Sequence, residues 1–510
     1  MVQKYLSDGL RLLGVRGISE SRLTRPGDNQ NITVAHDSPD YHVAFPGLCV
    51  TGEGDLLCAF RQGLTHAGDT REAHIVVIKS SDEGATWSEP WIVADDPQYD
   101  DRNSAVETGP DGRVALCWDK YVPGGHRGAC LAISEDGGRS FGPSIQLGTM
   151  QDVHTRSRPV WVDSDHIIVP LSIETGSADL PVTSYAIHVH LESAEQEIAV
   201  ISVEGEPGPA DETTIAYNCD GRLIALIRSC ELPTLWQSES DDDGYTWTET
   251  HSSGIPSQYA PCDIVQTGGV LVCSFSFRQR RNERLVVSRD GGQSWDVENS
   301  VDIFAATPDM GDRSYVATVL MPSGDLGSVL YETWPHPQGG RIYFCRNSIS
   351  QFDAERIGCL YADGTDSAAM LSVAAPTGAF EMTAAYRFTG VFGATPHEME
   401  WQICGTEGIL EMSYFMGATR DRWDDMTQGF EVALQRDSGR RVIARQAVKE
   451  IYCDGREHRL GLVRRGDSYA LTVDGNELYQ MRLPGEVDKL QLRAAGAAVA
   501  VYDVKLREGG

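Results

Sequence analysis

The sequence has 510 residues, more than one hydrophobic core usually supports, so two domains are expected. Its 52 glycines and 23 prolines indicate many tight turns and favour an all-β chain. The formal net charge of −31 argues against nucleic acid and anionic membranes as partners, because the field of the whole molecule repels polyanions. A small anion is not excluded, since salt screens charges beyond about 8–10 Å and a local group of arginines can bind it.

The N-terminal residues contain no apolar run of signal-peptide length, and no segment has the roughly 20 apolar residues of a membrane-spanning helix. Twelve cysteines are scattered without CxxC spacing, as expected of buried free thiols in a reducing compartment. These features predict a cytoplasmic protein. A secreted protein stays an alternative if a signal peptide preceded this sequence.

An eight-residue pattern, S-x-D-x-G-x-[ST]-W, occurs at residues 80–87, 240–247 and 288–295, and a copy at 134–141 ends in Phe. Asp and Gly favour the turn, the hydroxyl and carboxylate groups bond to the backbone, and the aromatic ring packs on the sheet. Each copy therefore predicts a tight hairpin turn.

A second repeat consists of an apolar strand, a glycine or aspartate turn, and another apolar strand. Its turns are spaced about 50–60 residues apart, which is the length of a four-stranded propeller blade with long loops. The six turns lie near Gly54, Gly112, Asp165, Gly221, Gly269 and Gly324. Six repeats predict six blades.

From about Phe352 the eight-residue pattern stops and alternating strands follow. The stretch at 453–484, with short DG turns between long strands, resembles laminin-G or concanavalin-like jelly rolls. The predicted fold is therefore all-β, with a six-bladed β-propeller at residues 1–350 and a jelly-roll β-sandwich at 351–510. For the sandwich, a structural or docking role and a sugar-binding role both stay open.

The four eight-residue copies resemble the aspartate boxes of the sialidase (neuraminidase)-like superfamily, over about residues 35–350. The resemblance implies a scaffold, because such boxes also occur in binding proteins. It also implies an acid/base aspartate on the loop at 60–69, where Asp69 has the corresponding position. His66 is an alternative, since an imidazole titrates near neutrality, and a purely structural loop is another.

The stretch Gly208-Pro209-Ala210-Asp211-Glu212, followed by Arg228, resembles the sialidase segment that supplies a buried glutamate and one arginine of a carboxylate clamp. The resemblance implies that Glu212 is a general base and Arg228 a clamp residue. A surface acid and an arginine at a strand end are the alternative.

Tyr315 lies nine residues before Gly324, the offset of the nucleophilic tyrosine in sialidases, and Glu332 ends the next strand. Val316 and Ala317 replace the small residues that usually follow. A tyrosine suits this role because a carboxylate nucleophile is repelled by an anomeric carbon that carries a carboxylate. A plain core aromatic is the alternative.

Arginines at strand ends or in nearby loops supply further clamp candidates, with Arg278 or Arg281 expected as the last member. The candidates are Arg61, Arg102, Arg158, Arg228, Arg278, Arg281 and Arg313. One feature departs from the sialidase pattern, because the Arg-Ile-Pro signature of the first blade is here His42-Val43-Ala44-Phe45-Pro46. The missing arginine is predicted to be replaced by Arg61, Arg102 or His42, or else the substrate is not an ordinary sialic acid.

The leading hypothesis is an exo-acting glycosidase of sialidase type, with an acidic oligosaccharide or glycoconjugate as substrate. Two others stay open: a lyase or glycosidase acting on uronate-containing saccharides, and a non-catalytic carbohydrate-binding propeller. The sequence has no zinc, nucleotide or flavin motif, so no cofactor and no metal are expected. It does not specify the oligomeric state.

Overall fold

The computed structural model is almost entirely β-structure, and no α-helix occurs in the part of the chain that it describes. The described residues are 32–66, 72–148, 153–173, 183–203, 210–229, 234–257, 260–277, 282–297, 300–305, 313–333, 336, 339–349, 352, 355–362, 368–388, 397–416, 428–447, 458–483, 485–495 and 499–508. The chain divides into two compact units, the first of which spans Gln30–Phe352. The domain boundary at residue 350 stays a prediction. Among these residues, no helix is long and apolar enough to cross a membrane.

The first unit contains six antiparallel sheets that follow one another along the chain, as predicted for six blades. Blade one contains β2 (His42–Val50), β3 (Leu56–Gly63), β4 (His74–Ser80) and β5 (Trp91–Ala94), and blade two contains β6 (Asp100–Thr108), β7 (Val114–Val122), β8 (Gly125–Ser134) and β9 (Ile145–Leu147). Blade three contains β10 (Val153–His154), β11 (Val160–Trp161), β12 (His166–Ile173), β13 (Thr183–His190) and β14 (Gln196–Val203). Blade four contains β15 (Ala210–Tyr217), β16 (Leu223–Ser229), β17 (Trp236–Ser240) and β18 (His251–Ser252), and blade five contains β19 (Cys262–Thr267), β20 (Val270–Phe277), β21 (Asn282–Ser288) and β22 (Val301–Ala305). Blade six contains β23 (Arg313–Leu320), β24 (Leu326–Glu332), β25 (Gly340–Asn347) and β1 (Ile32–Ser38).

The blades form a closed ring, because each one contacts the next and the first strand of blade one also contacts the first strand of blade six. The N-terminal strand β1 completes the ring by pairing with β25 as the outermost strand of blade six. Apolar side chains fill the space between blades; Leu57 and Val77 of blade one, for example, pack with Leu116 and Trp118 of blade two. Each predicted strand–turn–strand motif provides the first strands of one blade.

The predicted aspartate boxes are confirmed as turns between the third and fourth strands of blades one, two, four and five. In the first box, Asp82 accepts hydrogen bonds from the backbone and side chain of Thr86, at 2.8 and 2.6 Å. The hydroxyl of Ser80 accepts a hydrogen bond from the Gly84 amide at 2.8 Å, and the Trp87 indole donates to the Gly84 carbonyl at 3.2 Å. The box is therefore held by its own side chains.

Each box glycine packs against the preceding blade. A Cβ atom on Gly84 of blade one would lie 2.2 Å from the ring of Phe344 in blade six, and Gly138, Gly244 and Gly292 face Leu57, Ile168 and Ile224 of the blade before their own. The boxes therefore also contribute to the contacts between blades.

This contact makes Gly84→Ala a test of the packing. We expect this substitution to destabilise the protein by about 1–3 kcal/mol more than Gly112→Ala, because it forces a methyl group into the Phe344 ring. Gly112 is the matched control: its φ of +86° equals the +87° of Gly84 within a degree, and its Cβ would meet no atom within 4 Å. Urea unfolding of the two variants measures the difference. Equal losses would mean that the box does not pack as described.

The second unit is a β-sandwich of two six-stranded antiparallel sheets. One sheet contains, in spatial order, β26 (Glu355–Ala362), β37 (Val499–Glu508), β28 (Phe380–Phe388), β33 (His458–Arg465), β34 (Ser468–Val473) and β35 (Asn476–Arg482). The other contains β27 (Ala368–Ala374), β36 (Val487–Ala495), β29 (His397–Gly405), β30 (Gly408–Met416), β31 (Gln428–Arg436) and β32 (Gly439–Ala447). Both contribute to one apolar core, in which Phe380 and Leu462 of the first sheet pack with Trp401 and Tyr414 of the second. The likeness to laminin-G and concanavalin-like domains stays a prediction.

Candidate active site

The first strands of four blades carry a β-bulge. The register shifts at the bulged residues, which are Phe45 and Pro46 in β2, Asn103 and Ser104 in β6, Asp211 and Glu212 in β15, and Tyr315 and Val316 in β23. Phe45, Asn103 and Tyr315 have positive φ angles of 56°, 54° and 58°, which are rare for residues with a side chain. Bulges bend a strand and redirect its side chains, and backbone strain of this kind concentrates at functional sites. The bulges in these four first strands thus mark a candidate site on the evidence of the backbone alone.

Tyr315 is surrounded by aromatic rings and one cation. Its ring centroid lies 4.8 Å from that of Phe45 and 6.1 Å from that of Tyr331. The Arg156 guanidinium carbon lies 4.6 Å from the centroid of the Tyr315 ring. Arg156 comes from the gap between β10 and β11, where the first strand of blade three is interrupted. Blades one, three and six therefore meet at the tyrosine.

Glu212 and Arg228 form an ion pair on blade four. Asp211, the neighbour of Glu212 in the same bulge, lies 3.4 Å from the same Arg228 nitrogen, Nη1. Burial lowers the pKa of Arg228, but the charges of Glu212 and Asp211 outweigh this effect, so that its pKa lies above the ordinary value. Arg228 is close enough to Tyr315 for an ionised phenolate there to raise the pKa of Arg228. One arginine thus holds two buried carboxylates near the tyrosine.

A line of buried polar groups continues from Asp211 into blades three and two. His154 donates a hydrogen bond from Nε2 to Asp211 at 3.1 Å. Its ring packs against that of His126 at 4.7 Å, and His126 donates from Nδ1 to Asp119 at 2.6 Å. Burial raises the pKa of Asp211, yet the hydrogen bond and charge of His154 and the charge of Arg228 bring it below its ordinary value. Asp211 is therefore held as an anion.

Arg61 and His42, both predicted to bind substrate, belong to a buried cluster of blades one and two. Arg61 donates from Nε and Nη2 to the two oxygens of Asp100, each at 2.8 Å, from Nη1 to His42 at 3.2 Å, and from Nη2 to the Thr65 carbonyl at 2.7 Å. Arg61 is fully buried. With these contacts it supports the structure, and a role in substrate binding stays an untested prediction.

His66 and Arg102 lie between this cluster and the tyrosine. The His66 ring lies 5.2 Å from the His42 ring and 5.8 Å from the Phe45 ring. Arg102 donates from Nη2 to the His66 carbonyl at 2.8 Å, and its guanidinium carbon lies 4.5 Å from the centroid of the Tyr121 ring. The structure thus brings His66, Arg102 and Tyr315 around one phenylalanine.

Arg158 links four blades. It donates from Nε to Asp263 of blade five at 3.1 Å, from Nη1 to Glu107 of blade two at 2.8 Å, and from Nη2 to Asp263 and to the Thr318 carbonyl of blade six. Burial lowers its pKa, but the two carboxylates outweigh this effect and raise it above the ordinary value. Its donors are used within the protein, which favours a structural role over the predicted contact with substrate.

The remaining predicted residues divide into two groups. Arg313 begins β23 and lies opposite Glu332 in the ladder. Asp69, Arg278 and Arg281 lie outside the described residues.

Sequence reasoning missed Phe45, Arg156 and the pair His154–Asp211. Asp211 had a signal, since it adjoins Glu212, whereas Arg156 and Arg158 are indistinguishable in the sequence.

Comparison with known proteins gives one family. Residues 54–327 match the family described as BNR repeat-like domain. Among solved structures, a protein of unknown function from Dyadobacter fermentans is 16% identical with a TM-score of 0.55, over 63% of this chain and 98% of that one. This likeness supports the fold.

Sialidase structures also match, at lower similarity. Trypanosoma rangeli sialidase in complex with 2,3-difluorosialic acid is 11% identical, with a TM-score of 0.47 over 96% of each chain. A Hadza microbial sialidase is 17% identical, with a TM-score of 0.48 over 61% of this chain and 66% of that one. No curated protein sequence matches the chain.

Proposed function

This chain belongs to the family of BNR repeat-like domains, and we propose that it is an exo-acting glycosidase of sialidase type. Its substrate in this proposal is an oligosaccharide or glycoconjugate that ends in an acidic sugar, sialic acid or a related keto-sugar. The observation that carries the proposal is the position of Tyr315, strained on a bulge, under the Arg156 guanidinium and near the Glu212–Arg228 pair. A tyrosine nucleophile with a carboxylate base and neighbouring arginines suits an anionic substrate.

In the proposed first step, the Tyr315 oxygen attacks the anomeric carbon while Glu212 takes the phenolic proton. The bond from that carbon to the leaving oxygen breaks, and this oxygen receives a proton from Asp69 or His66. A water molecule then gives a proton to the same acid/base group and attacks the anomeric carbon. The bond to Tyr315 breaks, and Glu212 returns the proton to the tyrosine. The configuration of the sugar is retained.

A panel of aryl glycosides tests the proposal. We expect release of the aryl alcohol from a sialoside or related keto-sugar glycoside, with no rise in ultraviolet absorbance from an unsaturated sugar. Release from none of the acidic glycosides, at an enzyme concentration where the protein is folded by circular dichroism, would contradict a glycosidase. Binding of the sugars without any product would identify the non-catalytic carbohydrate-binding protein.

A lyase acting on uronate-linked saccharides is the second candidate. The rings of His66 and Tyr315 both contact the Phe45 ring, at 5.8 and 4.8 Å, so that an imidazole and a phenol flank one surface. An imidazole base and a tyrosine acid suit proton abstraction beside a carboxylate that arginines neutralise. An unsaturated product from a polymeric uronide would favour this reaction over hydrolysis.

A cytoplasmic location and a sugar-binding or docking role of the sandwich stay predictions.

A further inference from the structure

We propose that Arg156 binds the carboxylate of the substrate and so replaces the arginine that the first blade lacks. The inference rests on the proposed function, since it specifies which residue recognises the acidic group. Its basis is a buried guanidinium with one edge that makes no hydrogen bond to any described residue and that matches a carboxylate.

Blade one has no arginine at the position where the sialidase signature places one to bind the substrate carboxylate. Ala44, at the position of the signature arginine, is fully buried and pairs with Arg61 in the ladder. Arg61 itself donates from all three of its nitrogen atoms to Asp100, His42 and Thr65. Breaking the Arg61–Asp100 pair would leave the buried Asp100 with only the more distant Arg102, whose Nη2 lies 3.6 Å from Oδ2, and loss of a close buried partner costs several kcal/mol. Of the three proposed replacements, Arg61 and His42 are thus bound to each other. The third, Arg102, donates from Nη2 to the His66 carbonyl.

Arg156 is buried but its charge is not matched in the same way. Only 4% of its surface is exposed, and among the described residues its Nε and Nη2 atoms have no hydrogen-bond partner. Burial accordingly brings its pKa below the ordinary value, an effect that the charges of Glu212 and Asp263 only partly oppose. Buried donors are satisfied in most native proteins, so an unsatisfied pair of donors indicates a ligand or water.

The orphan atoms of Arg156 identify the class of ligand. Arg61 uses Nε and Nη2 on the two oxygens of Asp100, and Arg158 uses the same two atoms on Asp263. In Arg156 the same edge has no hydrogen-bond partner in the part of the chain that the structure describes. This edge presents two parallel N–H groups at the spacing of carboxylate oxygens, which makes a planar carboxylate its best ligand.

The position of Arg156 fits the proposed reaction. Its guanidinium lies over the ring of Tyr315, and the charge of Glu212 acts on it. In a keto-sugar acid the carboxylate is attached to the anomeric carbon. A carboxylate bound at Arg156 therefore brings that carbon close to the nucleophile, which holds the reacting atoms together.

Binding of a matched pair of ligands tests the inference. The probes are 2,3-dehydro-2-deoxysialic acid and its methyl ester, in which a methyl group removes the charge of the carboxylate, and binding is measured by calorimetry. We expect the wild type to prefer the acid, and Arg156→Leu to lose about 100-fold in affinity for the acid, with the ester unchanged. Arg156→Lys, which keeps the charge without the two-pronged edge, should recover only part of the preference.

One control variant and a measurement of turnover separate the possible failures. Arg139→Leu removes an exposed arginine of blade two and should leave both affinities unchanged. If Arg156→Leu and Arg156→Lys keep the full preference for the acid, Arg156 is not the ligand, while turnover that depends on Tyr315 leaves the proposed function intact. If the wild type binds neither probe and has no activity on acidic glycosides, the proposed function fails and the inference with it. If Arg156→Leu does not fold, the Lys variant alone decides.

Discussion

Tyr315→Phe is expected to lower kcat by about 1,000-fold or more while leaving substrate binding nearly unchanged, because only the attacking oxygen is removed. The ring stays and keeps its contacts with Phe45 and with the Arg156 guanidinium. Glu212→Gln should have a similar effect on kcat, since the amide cannot accept the phenolic proton. Steady-state kinetics on an aryl sialoside measures both changes.

Tyr217→Phe is the matched control for the loss of a phenolic hydroxyl. Tyr217 donates to Asp243 at 2.8 Å on blade four, and its removal should leave kcat unchanged. A 2,3-difluoro sialoside should label the wild type at Tyr315, seen as a mass increase on the tryptic peptide, and leave the Phe variant unlabelled. Full hydrolysis by Tyr315→Phe would exclude the tyrosine mechanism and direct attention to a reaction that uses His66 or Asp69.

Arg158→Ala should have the largest effect on stability. The substitution leaves the Asp263 and Glu107 carboxylates without this shared cation, and removing one partner of a buried ion pair typically costs about 3–5 kcal/mol. Burial already raises the pKa of Glu107, an effect that Arg158 partly offsets. Urea unfolding measures the loss.

Arg139→Ala provides the comparison, because the Arg139–Glu53 pair is exposed and such pairs contribute about 0–1 kcal/mol. A structural role for Arg158 also predicts that the folded fraction of Arg158→Ala keeps its KM for an acidic substrate. An unchanged unfolding midpoint together with a raised KM would show instead that Arg158 binds substrate.

The blades were predictable because their signals are local. The aspartate box needs only residues within eight positions, since Asp82 bonds to Thr86 and Ser80 to Gly84. The strand–turn–strand repeat likewise depends on a turn between neighbouring strands, as at Gly54 and Gly112, whose φ angles are 87° and 86°. Sequence periodicity therefore gave the number of blades and their order.

The use of each arginine was not predictable, because it depends on distant residues. Arg156 and Arg158 are two positions apart in the same gap of blade three. Arg158 is neutralised by Glu107 and Asp263, which are 51 and 105 positions away along the chain, and Arg156 meets no such carboxylate among its described hydrogen-bond partners. The bulges were equally unpredictable, since Phe45 and Tyr315 look in the sequence like ordinary residues of an apolar strand.

The pairing of β1 with β25 in blade six delays completion of the propeller during synthesis. Strand β1 is synthesised first, but its partner β25 is among the last parts of the propeller to leave the ribosome. At about 5–20 residues per second, β1 waits roughly 15–60 seconds with an unpaired edge, a state that favours aggregation. Ring closure also requires pairing between distant segments, which slows folding. Low temperature or chaperones during expression should therefore increase the yield of folded protein, more than they would for the sandwich alone.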